Sequence, residues 1–364
     1  MSPPRRRLAL AAGFAAATAV RLAFLEASPE NWDTAAYAEV VHALDSGGRL
    51  YRDTPRYNYS PAWALFLRAL SKLSAPLGVP LHRAVRALLL VADAATAWLV
   101  YRIARDVFAR PPDRALGAAL LFFANPVSVF VTGFHAQFDG LAILFLLAAI
   151  WFEAHRPSRP AAAVGALGAS LLAKHVTAFH PLVFARRRDR RGLPPAGVAV
   201  PYAIFLASFL PYWNELAAVR QRVFGYGSLA EDYGTAMLKR LPSVPAWAPT
   251  AVFFAAALVA AFALSRFEPA RACLLLFLVL LVFLPGISQY YFVWPIALGS
   301  LFGGAGYAVF TLLVSAFFLG SPDGLGLPLT HLPGWHGVWF GVVFWLLWEL
   351  RKVQSSKSRV QSRP

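Results

Sequence analysis

The sequence predicts an all-α polytopic membrane protein, a bundle of about ten to twelve transmembrane segments with a helical first outer loop. Of its 364 residues 58% are hydrophobic and 14% are charged, and the mean hydropathy is +0.54. Soluble domains are about 45–50% apolar and about 25% charged. Apolar runs long enough to cross a bilayer recur along the chain, so the surplus apolar surface is expected to face lipid.

Arginine-rich blocks between the apolar runs predict the topology. Short blocks such as MSPPRRR, RRRDRRG and RKVQSSKSR separate these runs, and short basic loops face the cytoplasm. The formal net charge of +16 therefore reflects topology, and the sequence has no basic-aromatic groove or motif for nucleic acid. We expect a multi-pass protein of the cell (cytoplasmic) membrane with both termini cytoplasmic, whose partner is the lipid bilayer and not nucleic acid.

The individual spans follow from the apolar runs. Residues 8–25 are predicted to be a retained signal-anchor span, because no clear small-residue cleavage site follows them. The stretch 161–185 has basic loops on both sides, which predicts a hairpin of two short helices with LLAKHVTAFH near its apex. The other predicted spans are 84–101, 115–132, 139–154, 194–212, 248–265, 270–285, 292–303, 306–320 and 337–350.

These spans predict one integral-membrane domain over residues 1–350, followed by a disordered basic cytoplasmic tail at 351–364. The single cysteine, Cys273, excludes an intrachain disulfide and a thiolate metal site. Asp93 lies in the middle of an apolar run, where a hydrogen bond to a neighbouring helix and a catalytic role both remain open.

The first outer loop, residues 26–82, carries the most polar chemistry, and we expect its segment 31–61 to be catalytic. The stretch from Asp33 to Leu44 has the pattern of an amphipathic helix lying at the interface, ended by SGG at 46–48. Asp33 directly precedes the periodic apolar positions. It is therefore either an N-cap of this helix or a functional carboxylate.

Further polar residues lie at the outer ends of predicted spans. Ionisable groups at membrane depth are costly and indicate functional sites. For Asp139, capping of the helix that starts there is an equally open role. We expect the candidates to line a single cavity at the outer face: Tyr59, His135, Gln137, Asp139, Lys174, His175, Arg222, Gln289 and Tyr290.

A carboxylate and cations at the outer edge of a bilayer suit the transfer of a group from a lipid phosphate. Cationic side chains stabilise the charge that develops on the departing phosphate. A carboxylate within hydrogen-bonding reach can take the proton of an acceptor hydroxyl. Because a phosphate leaves readily, this chemistry requires no cofactor, and a divalent metal is optional.

Four stretches resemble the GT-C-fold glycosyltransferases that use polyprenyl-phosphate sugars. DTAAYAEVVHALDSGGRLYRDTPRYNYSPAW resembles the first outer loop of the GPI mannosyltransferase I catalytic subunit. FHAQFDG and AKHVTAFHP are similar to motifs of the dolichyl-phosphate-glucose glucosyltransferases, and QYYFVWP to a late outer motif of the superfamily. The resemblance is spread, in order, over about residues 10–300.

This resemblance implies a GT-C-like bundle and an inverting transfer of a hexose, mannose or glucose, to a glycan, lipid or protein acceptor. It implies that Asp33 is the general base and that Lys174 and His175 face the donor phosphate. His135, Gln137 and Asp139 would then position the sugar or complete the cavity. Mannosyltransferase relatives often have Asp-x-Asp in the first loop, whereas Thr34 and Ala35 follow Asp33 here. Metal use and the sugar therefore stay open.

Two other classes of protein remain as alternatives. A multi-span lipid or solute transporter, such as a flippase, would show paired inverted repeats and charges near the middle of the membrane, but here the polar residues lie on one side. A non-catalytic subunit would not need Asp33 together with Lys174 and His175. The membrane enzyme is therefore the favoured hypothesis.

Overall fold

The computed structural model describes residues 3–155, 160–185, 192–225, 233–321 and 334–361. Within these ranges the chain is helical and contains no β-strand, only one isolated bridge between Ala185 and Leu193. This confirms the predicted all-α class. The basic block at 186–191 and the last three residues of the predicted tail lie outside the described residues. The helices group into two compact units, Met1–Gly227 and Ser228–Pro364.

The first unit contains the helices up to residue 225. Two pairs of consecutive helices are bent, by 43° between α6 and α7 and by 54° after α11. The helices are α1 Pro3–Ala27, α2 Trp32–Asp45, α3 Leu50–Asp53, α4 Pro61–Ser74, α5 Leu81–Asp106, α6 Pro112–Phe123, α7 Pro126–Ser128, α8 Asp139–Ala154, α9 Pro160–Ala173, α10 His180–Val183, α11 Pro195–Ala207 and α12 Leu216–Val219. π-helical turns continue α7 as Val129–Phe134 and α12 as Arg220–Phe224.

Several of these helices are long and apolar enough to cross a membrane. Arg5–Ala27 and Leu81–Asp106 qualify singly, and each bent pair qualifies when it is counted as one span. Shorter apolar helices of 10–17 residues accompany them in both units. These helices agree with a polytopic membrane protein, while the number of ten to twelve spans stays a prediction.

The first outer loop folds onto an aromatic core. Helix α2 spans Trp32–Asp45, close to the predicted helix Asp33–Leu44. The Trp63 ring stacks on Phe138 at 4.1 Å between ring centroids, and Tyr37 meets Trp63 edge-on at 5.7 Å. Burial raises the pKa of Tyr57 well above its usual value, so Tyr57 stays a neutral hydrogen-bonding group. Its hydroxyl accepts from the Ala64 backbone N–H at 2.9 Å.

A buried ion pair fixes the helices beneath this loop. Arg21 of α1 donates from Nε and Nη2 to Asp93 Oδ2 of α5 at 3.1 and 3.0 Å. The Thr132 hydroxyl donates to the same oxygen at 2.7 Å. The hydrogen bond between Asp93 and a neighbouring helix, one of the two roles left open by the sequence, is therefore present.

The second unit consists of α13 Ala248–Leu264, α14 Pro269–Phe283, α15 Ile296–Phe302, α16 Ala305–Gly320 and α17 Trp335–Gln361. Gly306 lets α16 lie close to α17, because a Cβ there would fall 2.5 Å from the Trp345 ring. Helix α17 continues to Gln361, whereas the sequence analysis expects a disordered tail from residue 351. Residues 351–361 contain no Gly or Pro and are mostly good helix formers, which explains the continuation.

Candidate active site

Asp33 lies in the first turn of α2, but it does not cap the helix. The N-cap is Asn31, whose side chain accepts from the backbone N–H of Asp33 at 3.1 Å and of Thr34 at 3.0 Å. The Thr34 hydroxyl accepts from the Asn31 backbone N–H at 2.8 Å and completes a capping box. The half-buried Asp33 carboxylate is therefore not the N-cap of α2, one of the two roles that the sequence leaves open for it.

Residues 134–138, the end of the π-helical turn and the loop that leads from it to α8, are hydrogen-bonded to Asn31 and to α2. The Asn31 side-chain amide donates to the Phe134 and His135 carbonyls at 3.4 and 3.1 Å. The Tyr37 hydroxyl donates to the Ala136 carbonyl at 3.3 Å. The start of α2, with Asp33 in it, therefore lies against the FHAQFDG motif.

Arg86 of α5 fixes the same junction from the other side. It is buried, and its guanidinium donates to the carbonyls of Ser28 at 3.1 Å, Pro29 at 2.8 Å and Phe134 at 3.2 Å. These carbonyls belong to the segment before α2 and to the start of the 134–138 loop. The sequence analysis missed Arg86 because its contacts are with backbone carbonyls rather than with a charged partner.

Backbone conformation within this loop is unusual. Ala136 has φ +57° and is fully buried. An L-residue other than Gly seldom adopts this region, and such strain persists only where the surroundings enforce it. π-helical turns are also frequent at functional sites, and Val129–Phe134 directly precedes the loop.

Lys174 is the centre of a buried polar cluster. Its Nζ donates to Asp139 Oδ2 at 2.5 Å and lies 3.5 Å from Gln137 Oε1. The rings of Tyr59 and Phe138 each lie 5.0 Å from the ammonium. Lys174 is 4% exposed and Asp139 is 0% exposed. Four residues predicted from three separate stretches of sequence are thus in one cluster: Tyr59, Gln137, Asp139 and Lys174.

The break in the predicted hairpin positions this lysine. Helix α9 ends at Ala173, and Lys174 is in extended conformation before the short turn His175–Thr177. The Ser170 hydroxyl holds α9 to α8 by donating to the Ala142 carbonyl at 2.7 Å. Ser60, in the first outer loop, donates to the Leu172 carbonyl. The YSP stretch is therefore attached directly to the residues that precede Lys174.

The remaining candidates of the first unit are His135, His175 and Arg222. His135 is buried, and burial followed by the charge of Arg86 lowers its pKa to about 4, which leaves a neutral ring. His175 is half-buried, with its ring 6.4 Å from that of Phe205. Arg222 belongs to the second π-helical turn, and its Nη1 donates to the Pro55 carbonyl at 2.6 Å.

Gln289 and Tyr290 belong to the second unit, in the turn Gln289–Val293. Gln289 is buried, and the Ser321 hydroxyl donates weakly to its Oε1 at 3.5 Å. Tyr290 is half-buried. The predicted role of these two residues stays a prediction.

Sequence reasoning also missed Glu215, which supports the outer loop. The buried Glu215 carboxylate accepts from the backbone N–H groups of Tyr51 at 2.8 Å and Arg52 at 3.1 Å, at the start of α3. An acidic group at a helix N-terminus is favourable, but here it comes from a distant segment, so local pattern could not reveal it. Within the described ranges no group of three or more His, Cys, Asp or Glu is placed to hold a metal ion.

Fold and site together define an all-α membrane protein with a buried lysine–carboxylate cluster beside a polar outer loop. Residues 57–288, more than half of the chain, match glycosyltransferase family 87, and the chain belongs to that family. The matched range contains the Lys174 cluster but not Asp33, Gln289 or Tyr290. No curated protein and no solved structure matches the chain.

Proposed function

We propose that this membrane glycosyltransferase moves a hexose from a polyprenyl-phosphate carrier to an acceptor hydroxyl at the outer face of the cell membrane, with inversion and with Asp33 as the general base. Family membership supports sugar transfer, and the apolar helices support a lipid-borne donor. We also propose that both termini are cytoplasmic and that the transferred hexose is mannose or glucose.

The buried lysine is the observation that carries the donor side of the proposal. The Lys174 ammonium is buried beside Asp139 and Gln137, with its Nζ 2.5 Å from Asp139 Oδ2 and 3.5 Å from Gln137 Oε1. A cation in this position suits the phosphate of the donor, because its charge stabilises the negative charge that develops on the departing phosphate. Gln137 Nε2 and His175 Nδ1 are buried and have no hydrogen-bond partner among the described residues. A bound donor would supply hydrogen-bond partners for these two buried atoms.

The proposed base is supported by its position relative to this cluster. Asn31 holds the start of α2 against the carbonyls of Phe134 and His135, and the same loop leads within a few residues to Gln137 and Asp139. A base and a phosphate-binding cation connected through one short, tied loop would be preorganised for direct displacement. Lys174 and His175 would face the phosphate, with His135, Gln137 and Tyr59 around the sugar.

A transfer assay tests the base directly. Membranes with wild-type protein are supplied with a panel of polyprenyl-phosphate hexoses and compared with Asp33→Asn membranes. We expect Asp33→Asn to abolish transfer while the protein inserts normally, because the amide cannot take the proton. Asp45→Asn is the matched control, since Asp45 is at the other end of α2 in an exposed pair with Arg68. Full activity of Asp33→Asn would overturn the assignment.

A further inference from the structure

The residue next to the proposed base is an exposed tryptophan held in a fixed position. Trp32 is the first residue of α2 and is 72% exposed. The Arg56 guanidinium lies over its ring at 4.3 Å, and Arg56 Nη1 donates to the Trp32 carbonyl at 3.2 Å. One contact with one cation therefore restrains the ring while most of its surface stays open.

Arg56 is itself held by a carboxylate. Its Nε donates to Glu39 Oε2 at 3.1 Å, and its Nη2 donates to Glu39 Oε1, which makes a bidentate pair. Glu39 lies two turns further along α2. Trp32 and Glu39 lie on α2, the helix of Asp33, and Arg56 joins them from outside it. None of the three belongs to the buried aromatic core.

An exposed, preordered aromatic ring suits the face of a pyranose. The axial C–H groups of a pyranose form an apolar face, which packs on an aromatic ring and removes apolar surface of both from water. The ring loses little freedom on binding because Arg56 already restrains it, which lowers the cost of association. A polypeptide or an unglycosylated lipid lacks a rigid polar ring with one apolar face, so neither suits the Trp32 ring as a pyranose does.

The position of Trp32 next to Asp33 indicates which sugar unit of the acceptor Trp32 binds. Consecutive residues of a helix point about 100° apart, so the Trp32 ring and the Asp33 carboxylate are neighbours without facing each other. A sugar on Trp32 would therefore be adjacent to the one whose hydroxyl reaches Asp33. We propose that Trp32 is an acceptor subsite that binds a pyranose next to the reacting residue, so that the acceptor is a glycan or glycoconjugate of at least two sugars.

This inference rests on the proposed function for the reaction, and its test uses acceptor length. The probes are octyl glycosides of one, two and three mannose or glucose units, with the protein in nanodiscs. In transfer assays we expect the wild type to have a lower KM for the longer glycosides than for the monosaccharide. In Trp32→Ala the KM for the longer glycosides should rise about tenfold, while the KM for the donor is unchanged.

Trp213→Ala is the matched control, because Trp213 is 71% exposed in the same unit. A tryptophan that only anchors the protein at the membrane interface would give the same result at both positions. Trp32→Phe retains an aromatic face and should keep most of the preference for longer glycosides. It also serves as the folded variant if Trp32→Ala fails to insert; a preference wholly lost in an inserted Trp32→Phe would overturn the proposal.

Saturation-transfer NMR with the same glycosides separates this inference from the proposed function. If the wild type transfers no hexose but binds the longer glycosides through Trp32, the proposed reaction fails and the subsite stands. The subsite is overturned if Trp32→Ala keeps the preference for longer glycosides, if Trp213→Ala loses it equally, or if the wild type binds none of the probes.

Discussion

Removal of the Lys174 ammonium should destabilise the protein strongly, because it leaves the Asp139 carboxylate buried without its charge partner. Lys174 and Asp139 have side chains 5% and 0% exposed, so solvent cannot replace the lost partner. Breaking a buried pair by removing one partner costs about 3–5 kcal/mol. We therefore expect Lys174→Met to lower the free energy of unfolding by about that amount, measured by denaturant titration in detergent.

A double variant separates this structural loss from the role in donor binding. Lys174→Met combined with Asp139→Asn removes both charges at nearly constant volume, so the cost should fall to about 1–3 kcal/mol for imperfectly satisfied amide groups. If Lys174 contacts the donor phosphate, this folded double variant should still fail to use the polyprenyl-phosphate sugar. Transfer at the wild-type rate by the double variant would refute the phosphate role.

The exposed pair of Arg68 and Asp45 provides the control for the stability measurement. Its side chains are 37% and 43% exposed at an N–O distance of 2.6 Å, and such pairs contribute about 0–1 kcal/mol. Arg68→Met should therefore change stability by less than about 1 kcal/mol. Equal losses in Lys174→Met and Arg68→Met would show that burial does not govern the Lys174 pair.

Four further variants, at the two positions Asn31 and Ala136, test the loop that connects α2 to the lysine cluster. Asn31→Ala should cost about 1 kcal/mol for the helix cap and roughly 1 kcal/mol for the bonds to the Phe134 and His135 carbonyls. Asn31→Ser keeps a capping oxygen but is too short for the carbonyls, so it should lose only the second contribution; wild-type stability of Asn31→Ser in denaturant titration would contradict the bridging role. Ala136→Gly should leave stability within about 0.5 kcal/mol of wild type, because relief of the positive φ is offset by the entropy of the unfolded chain. Ala136→Val places a β-branched side chain there and should cost more than about 2 kcal/mol; a stable Ala136→Val variant would show that the loop relaxes.

The all-α fold could be predicted from the sequence because long runs of apolar residues identify membrane helices. The run at 139–154 became α8, Asp139–Ala154, and the unusual stretch 161–185 broke near the predicted apex at Lys174. The bends have a different origin. They lie at the breaks after Phe123 and after Ala207, and Pro126 or Pro211 stands in the first turn of the helix that follows. A proline lacks the backbone N–H that a continuing helix needs, and apolar periodicity alone does not mark such a break.

The contacts of the site could be predicted from the sequence only in part. Sequence could single out Asp139 and Lys174 as costly polar residues, but their pairing depends on the packing of α8 against α9 across 35 positions of sequence. The sequence pattern indicates Asp33 rather than Asn31 as a cap, although Asn is as good a capping residue, because the apolar periodicity begins the helix at Asp33 and α2 begins at Trp32. Long-range hydrogen bonds to carbonyls, such as those of Arg86, leave no local signal at all.

Residues 134–138 contact both the helix that carries the proposed base, Asp33, and the residues that hold the proposed phosphate-binding cation, Lys174. One end of this loop is bound by Asn31, which begins the helix of Asp33, and its other end continues into Asp139, which holds Lys174. A shift of the loop would move the base and the cation relative to each other, so substitutions at Ala136 should impair donor and acceptor use together. Trp32 contributes to neither end of the loop, and its loss should affect the acceptor alone. Kinetics that reversed this division would mean that the loop does not couple the two groups.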